Sequence, residues 1–377
     1  MKIARNRKGI ALGVVLMAIF VITLLILGAY FANIQEYRLG SNSLLQTRAM
    51  SSADYGHAVV YQTWDKNWNT FRNGTTFVKA YTPGDGAIDT VRITKLNNLS
   101  FLVVSEGRAG GGVRSGARRR AGMLLRLNMP TINIKAAIMS SGTIAIGGST
   151  ALSGKDSVPP GWSCPPAGAA VAGAIVPSYS KLTVGGSCAG MKCIAGSPLV
   201  DTTKVASDTN SYFNYGSLHW SDMVAMADKQ VSGTMTKVSP SLQGAACKTA
   251  DNKNWGDPGR AALPGACESY FPIVYAPGDL SINGDMGQGI LLVNGNLSIQ
   301  GGFNFYGPVI VRGTVKLTGT GNHINGAVLA ASVVDSTATT SLSGNSAIQY
   351  SSCANAQALL RTALPAKAPQ RSWAELF

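Results

Sequence analysis

The first pattern along the chain is one unbroken apolar run. Residues 5–27 read RNRKGIALGVVLMAIFVITLLIL, and no charged residue falls between Gly9 and Gln35. A helix of about 20 apolar residues crosses the hydrocarbon core of a bilayer. A cleaved secretion signal carries roughly 7–15 apolar residues and a small-x-small cleavage site. This run is longer, Tyr30 in GAYFA stands where a small residue is needed, and no cysteine is near enough to accept a lipid. The pattern predicts a basic leader (1–8) and a retained transmembrane helix (9–34). Lys2, Arg5, Arg7 and Lys8 put the N-terminus in the cytoplasm and the bulk of the chain on the far side.

The periodicity continues past the apolar run. Apolar or small residues recur at Ile34, Tyr37, Ser41, Leu44, Leu45, Ala49, Ser52, Tyr55 and Val59, at helical intervals. They predict one helix from about Lys8 to about Trp64, its second part an amphipathic continuation (35–64) with a single apolar stripe. Asn67, Asn69, Asn73 and Gly74 are expected to end it. Gly40 and Gly56 are weak points, each costing up to about 1 kcal/mol relative to Ala.

From residue 65 the period shortens to two. Alternating runs in TFVKAYTPGDGAIDTVRITKLNNLSFLVVSEGR, turned at PGDG, and two runs around the Gly-rich stretch of FLVVSEGRAGGGVRSGARRRAGMLLRLNMP predict a small antiparallel β-sheet head (65–130) on the outer half of the helix. Further on, PIVYAPGDLSING, ILLVNGNLSIQGG, PVIVRGTVKLTGTG and AVLAASVV align on turns at Gly278, Gly295, Gly313 and Ser332, at spacings of 17, 18 and 19. Strand, turn, strand and Gly-rich corner at this period predict a parallel β-solenoid (269–349) of about 18 residues per coil. Leu280 with Ile282, Leu297 with Ile299, and Val315 with Leu317 would face inward, with glycines at the corners. An antiparallel sandwich is the alternative. NIKAAIMSSGTIAIGGSTALSG repeats the same logic, so 131–154 is expected to supply first solenoid-like strands that stack on the later coils. Residues 155–268 would be a loop-rich, Cys-containing excursion with one short helix N-capped by Ser221, and 350–377 a C-terminal tail.

The basic leader ending in Gly (RKGIAL, 7–12), the apolar helix with its amphipathic continuation, and SADYG (52–56) resemble the PilX N-terminal family of type IV pilus minor pilins and pilus-assembly proteins. The resemblance covers the N-terminal helix only. It implies prepilin-peptidase processing after Gly9 with Ile10 as the first mature residue. Ala53, Asp54 and Gly56 match the family signature, Asp54 standing for its usual Glu. Val14 occupies the fifth mature position, where pilins usually carry Glu. The implied location is the bacterial inner membrane, single-pass and mostly periplasmic, with incorporation into a surface pilus. The implied partners are other pilin-like subunits or the pilus assembly machinery.

Composition and charge refine this picture. The chain has 377 residues, 45% hydrophobic and only 13% charged, with 44 glycines, which is too apolar for disorder. A net charge of +14 points to anionic partners, an acidic surface or polysaccharide. Arg108, Arg114, Arg118, Arg119, Arg120 and Arg126 form a basic patch opposed nearby only by Glu106. The patch reads as a phosphate- or headgroup-binding loop, or more plainly as a solvated hairpin or an anchor to anionic lipid near the bilayer. No aromatic residues interleave to stack on bases, which argues against nucleic acid.

Cys164, Cys188, Cys193, Cys247, Cys267 and Cys353 all follow the apolar run, as in an exported, disulfide-bonded protein. Cys188 with Cys193 and Cys247 with Cys267 are the local pairings, and the sequence does not choose among the alternatives. CAGMKC lacks a second ligand pair, and His57, His219 and His323 have no metal-ligand spacing, so no metal is expected. GGSTALSGKD has the wrong glycine interval for a phosphate loop and an Asp after its Lys. Residues 270–349 hold only Asp279, Asp285 and Asp335 as acids, without the paired carboxylates of glycoside chemistry. Neither a cofactor nor catalysis is expected. The expectation is a membrane-anchored, pilin-like structural or assembly protein whose β-rich exported domain is a display element for adhesion. The alternative is a permanently anchored periplasmic scaffold or glycan-binding β-solenoid that never enters a filament, which the missing Glu at position 14 supports.

Overall fold

The structure is a computed structural model that describes residues 10–82, 88–110, 116–203, 212–259, 265–331, 339–368 and 372–376. The chain forms two compact units. The first comprises Met1–Trp64, Arg72–Arg126 and Pro365–Phe377, the second Asp65–Phe71 and Leu127–Leu364.

In the first unit a single helix, α1, runs Ile10–Gln62. Its 53 residues span roughly 80 Å. It is long and apolar enough to cross a membrane, as a membrane-anchoring or signal segment. From Leu12 to Leu44 every side chain is exposed except the half-covered Ile34. Beyond that a stripe is buried: Ala49, Ser52, Ala53, Gly56, His57 and Val60, with Trp64 just after the helix. This corrects the expected stripe, because Tyr37 and Tyr55 point to solvent. The covering sheet reaches only to about Leu45, and it selects small residues over tyrosines because helix and sheet approach closely there.

That sheet is antiparallel, in the order β1 (Thr76–Tyr81), β2 (Ile88–Lys95), β3 (Ser100–Ala109), β4 (Ala117–Asn128). Val91 and Ile93, Phe101 and Val103, and Ala121, Met123 and Leu125 are buried on one face, as alternation with period two requires. The ring of Trp64 meets Phe101 edge-on at 4.9 Å. Residues 350–377, read from sequence only as a tail, fold instead. Helix α3 (Ser352–Thr362) is capped by the Ser351 hydroxyl, which accepts from the Ala354 N–H at 3.1 Å. Strands Leu364–Lys367 and Trp373–Leu376 then pair with β4.

The second unit is a curled, largely parallel sheet. Three ladders run through it. In the first, Val274, Leu291, Val309, Val328, Ile138, Ala174 and Val200 are successive register partners. In the second, Met235, Ile282, Ile299, Leu317, Leu342, Ile146 and Val184 are. The third includes Phe305, Ile324, Ile348, Leu152 and Ile194. Their apolar side chains make one core, and Leu280, Ile282, Leu297, Ile299, Val315 and Leu317 are buried in it. The first ladder's other face, with Leu292, Ile310 and Leu329, packs against Cys353, Ala354 and Ala358 of α3 in a second core. Burial on both faces explains why ILLV, PVIV and AVLA are continuously apolar, whereas the second ladder's LSI and VKL alternate.

Stacking order differs from chain order. The chain enters the stack at Ala136–Ser140 and winds outward to Val200–Asp201. It then restarts at the opposite end with Lys229–Gln230 and winds back until 327–350 pairs with 136–153. The excursion at 155–268 is therefore corrected: it supplies strands at both ends of the sheet, which long and unequal insertions hid from the repeat. The short helix α2 (Trp220–Ala225) begins before Ser221. The His219 N–H donates to Asp222 Oδ2 at 2.8 Å, so Asp222 closes the turn and Ser221 lies inside it.

Corner glycines are also redistributed. Gly278, Gly295 and Gly313 have ordinary φ but stack so tightly that a Cβ on Gly313 would lie 2.6 Å from the Gly295 carbonyl oxygen. The left-handed corner follows the second ladder, at Gly284, Gly301, Gly319, Gly344, Gly148 and Gly186, with φ from +60° to +87°. Lys237 holds the equivalent place at φ +55°. Ser332 lies outside the described residues.

Candidate functional site

The signature residues sit where α1 meets the sheet. Ala53 and Gly56 are buried and Asp54 is exposed. A Cβ on Gly56 would lie 1.5 Å from Asp89 Oδ2, and one on Gly107 of β3 would lie 2.0 Å from the Ala49 carbonyl oxygen. The glycine read as a weak point thus lets helix backbone and strand touch. Asp54 accepts from the Trp373 indole N–H at 3.3 Å. Gly9 lies outside the described residues, and Ile10 is the first residue of α1.

A polar seam lies beneath this contact. Asp89 is fully buried and accepts from the Ser105 hydroxyl at 2.7 Å, while its Oδ2 has no hydrogen-bond partner. Burial pushes its carboxyl up to about 6, against the Ser105 hydrogen bond. His57 Nε2 lies 3.3 Å from the Val103 carbonyl oxygen, and burial lowers the pKa of this imidazole. His57 also lines a cleft of about 530 Å³ with Asp54, Tyr61, Gln62, Lys367 and Trp373.

On the opposite face of the sheet the arginines converge. The β3–β4 register sets Glu106 beside Arg120 and Arg108 beside Arg118. Alternation puts all four on one face. Arg108 donates Nε and Nη2 to Glu106 Oε1 at 2.9 and 2.8 Å, Arg120 Nε donates to Oε2 at 2.8 Å, and Arg118 Nη2 also donates to Oε2. The Glu106 side chain is 11% exposed and those of Arg108, Arg118 and Arg120 are 59%, 48% and 41% exposed. Burial pushes the Glu106 carboxyl up, but hydrogen bonds from the three arginines outweigh it and hold it at about 2. Arg119 points the other way. It donates to Gln46 of α1 at 2.7 Å and to Glu375 at 3.0 Å. Arg126 is exposed and apart from the cluster, and Arg114 lies outside the described residues.

In the sequence Glu106 is a lone counter-charge, whereas in the fold it is the hub of three arginines. Strand parity held the signal, since residues 106, 108, 118 and 120 share a face once the hairpin is in register. Asp89 and His57 carried no sequence signal beyond an acid in a strand and a histidine in a helix.

The six cysteines form Cys164–Cys353, Cys188–Cys193 and Cys247–Cys267. Among the described residues no group of three or more His, Cys, Asp or Glu is placed to hold a metal ion.

No protein-family model and no curated protein matches the chain. Among solved structures, the competence-associated pilin ComZ from Thermus thermophilus aligns at 14% identity over 89% of this chain and 97% of that one, with a TM-score of 0.22. At that score no structural role passes from ComZ to this chain.

Proposed function

We propose that the chain is a membrane-anchored, pilin-like structural or assembly protein of the PilX type, with a β-solenoid as its exported display element. The observation that carries this reading is helix α1. It is exposed and apolar from Leu12 to Phe31, and the small side of its distal half is covered by an antiparallel sheet. An apolar helix of this length is stable in lipid or in a bundle of like helices, where van der Waals packing replaces lipid contact. Gly13, Gly28 and Gly40 have open space where a Cβ would stand and would admit such a neighbour. The solenoid reading is supported by three ladders stepping through parallel strands. The stack is a stiff element suited to adhesion or to capping a fibre.

The N-terminus of the protein purified from its native membrane tests this function. A start at Ile10 is expected. A start at Met1 overturns processing and leaves a permanently anchored scaffold or glycan-binding protein, the reading that Val14 favours.

A further inference from the structure

We propose that Arg108, Arg118 and Arg120 form a preorganised phosphate-ester site that engages acidic phospholipid at the surface of the bilayer crossed by α1. The inference rests on the reading of α1 as a membrane span.

Three observations lead to it. First, the guanidinium groups are fixed but not exhausted. Arg118 and Arg120 each spend one nitrogen on Glu106 and Arg108 spends two, so every one retains donors on an exposed edge. Planar forks held in place match phosphate oxygens with little further ordering. Second, the charges do not cancel. Three arginines share one carboxylate, and the nearby Arg119 already pairs with Glu375. The surplus suits a phosphate ester rather than a neutral ligand.

Third, the cluster lies at the bilayer end of its unit. β3 runs against α1, with Phe101 at Trp64, Gly107 at Ala49 and Ala53, and Gly110 at Leu45. Tyr30, Phe31 and Tyr37 are exposed on α1, where aromatic side chains mark a membrane interface. Gln46, which holds Arg119, is nine residues beyond Tyr37, roughly 14 Å of helix. Along the helix axis the strand that carries Arg118 and Arg120 is therefore anchored, through Arg119, one to two screening lengths above Tyr37 at physiological ionic strength. Between Glu36 and Asp54, α1 carries Arg38 and Arg48 and no further acid.

The test uses the full chain in neutral detergent, titrated with short-chain phosphatidylglycerol or phosphatidylcholine, with retained lipid counted by native mass spectrometry. Phosphatidylglycerol is expected to be retained in preference. R118Q should weaken it about five-fold and R108Q/R118Q about 25-fold, as for basic residues at an acidic surface. R118K, which keeps the charge but loses the planar fork, should recover only part of the retention, whereas full recovery would overturn the preorganised fork in favour of charge alone. R126Q, on the same strand but outside the cluster, should leave it unchanged.

Displacement by glycerol phosphate would assign the affinity to the phosphate ester itself. Failure to displace would assign it to the lipid in its surface. Equal retention of both lipids, or equal loss in R126Q and R118Q, overturns the site. Carbonate extraction of native membranes tests the span separately. Release of the chain overturns the membrane reading, whereas retention without lipid preference overturns only the arginine site.

Discussion

Gly107 and Gly56 are the residues on which the first unit closes. Adding one methyl group at Gly107 drives a Cβ into the Ala49 carbonyl, and neither helix nor strand backbone can yield cheaply. G107A should destabilise by about 1–3 kcal/mol. G40A, with nothing within 4 Å of its Cβ, should stabilise by about 0.4–1 kcal/mol. Chemical denaturation of the full chain measures both.

Asp89 adds a pH dependence of defined sign. Its folded pKa is raised to about 6, so its contribution is fully present below the ordinary aspartate range. That contribution is lost as pH rises from about 4 through 6, because the unfolded chain gives up its proton first. Glu106 acts in the opposite sense. Held at about 2, its contribution is present above about 4.5 and lost as pH falls toward 2. Burial lowers the pKa of the His57 imidazole, whose contribution rises with pH up to about 6.5, so the Asp89 contribution is read as a difference: between pH 4.5 and 6 the wild type should lose stability relative to D89N, with the acid limb unchanged. A wild-type-minus-D89N difference that is flat from pH 4.5 to 6 would remove Asp89 from this role. None of this was legible in the sequence, because burial under a helix depends on which glycine permits the approach.

Among the elements, the left-handed corner of the second ladder makes the clearest prediction. Gly344 sits at φ +80°, and a Cβ there would lie 2.0 Å from the Gly319 carbonyl oxygen. G344A should cost at least about 1–2 kcal/mol from backbone conformation alone. K237G, at φ +55° in the same column, should stabilise by up to about 1 kcal/mol. Thermal unfolding of the two variants reads both signs. Here the sequence was informative. Inward pairs such as Leu297 with Ile299 followed from alternation, and the 17 to 19-residue spacing located the turns. It misassigned the special corner because a glycine needed for close stacking and one needed for positive φ look the same in a sequence. It also missed the end strands. Val200–Asp201 and Lys229–Gln230 follow insertions that erase the period, and each acquires its partner only from the three-dimensional stack.

For the whole molecule, the decisive feature is that stacking order is not chain order. Cys164 and Cys353 are 189 residues apart, and their bond spans the interval in which the chain leaves the stack at one end and returns from the other. In the chain-entropy treatment, closing so long a loop contributes about 5 kcal/mol, against about 2 kcal/mol for the loop of Cys188–Cys193. C164S/C353S should therefore lower the unfolding midpoint much more than C188S/C193S.

On the proposed topology, with the N-terminus retained and the rest of the chain exported behind α1, the cysteines reach the oxidising side in sequence order. Cys188 and Cys193 can pair almost at once, and Cys247 and Cys267 soon after, whereas Cys164 must wait for nearly the entire chain to emerge. On that topology the Cys164 thiol stays unsatisfied while the next 189 residues emerge, about half of the chain. The last bond made is the one that reports that both halves of the stack have arrived and met.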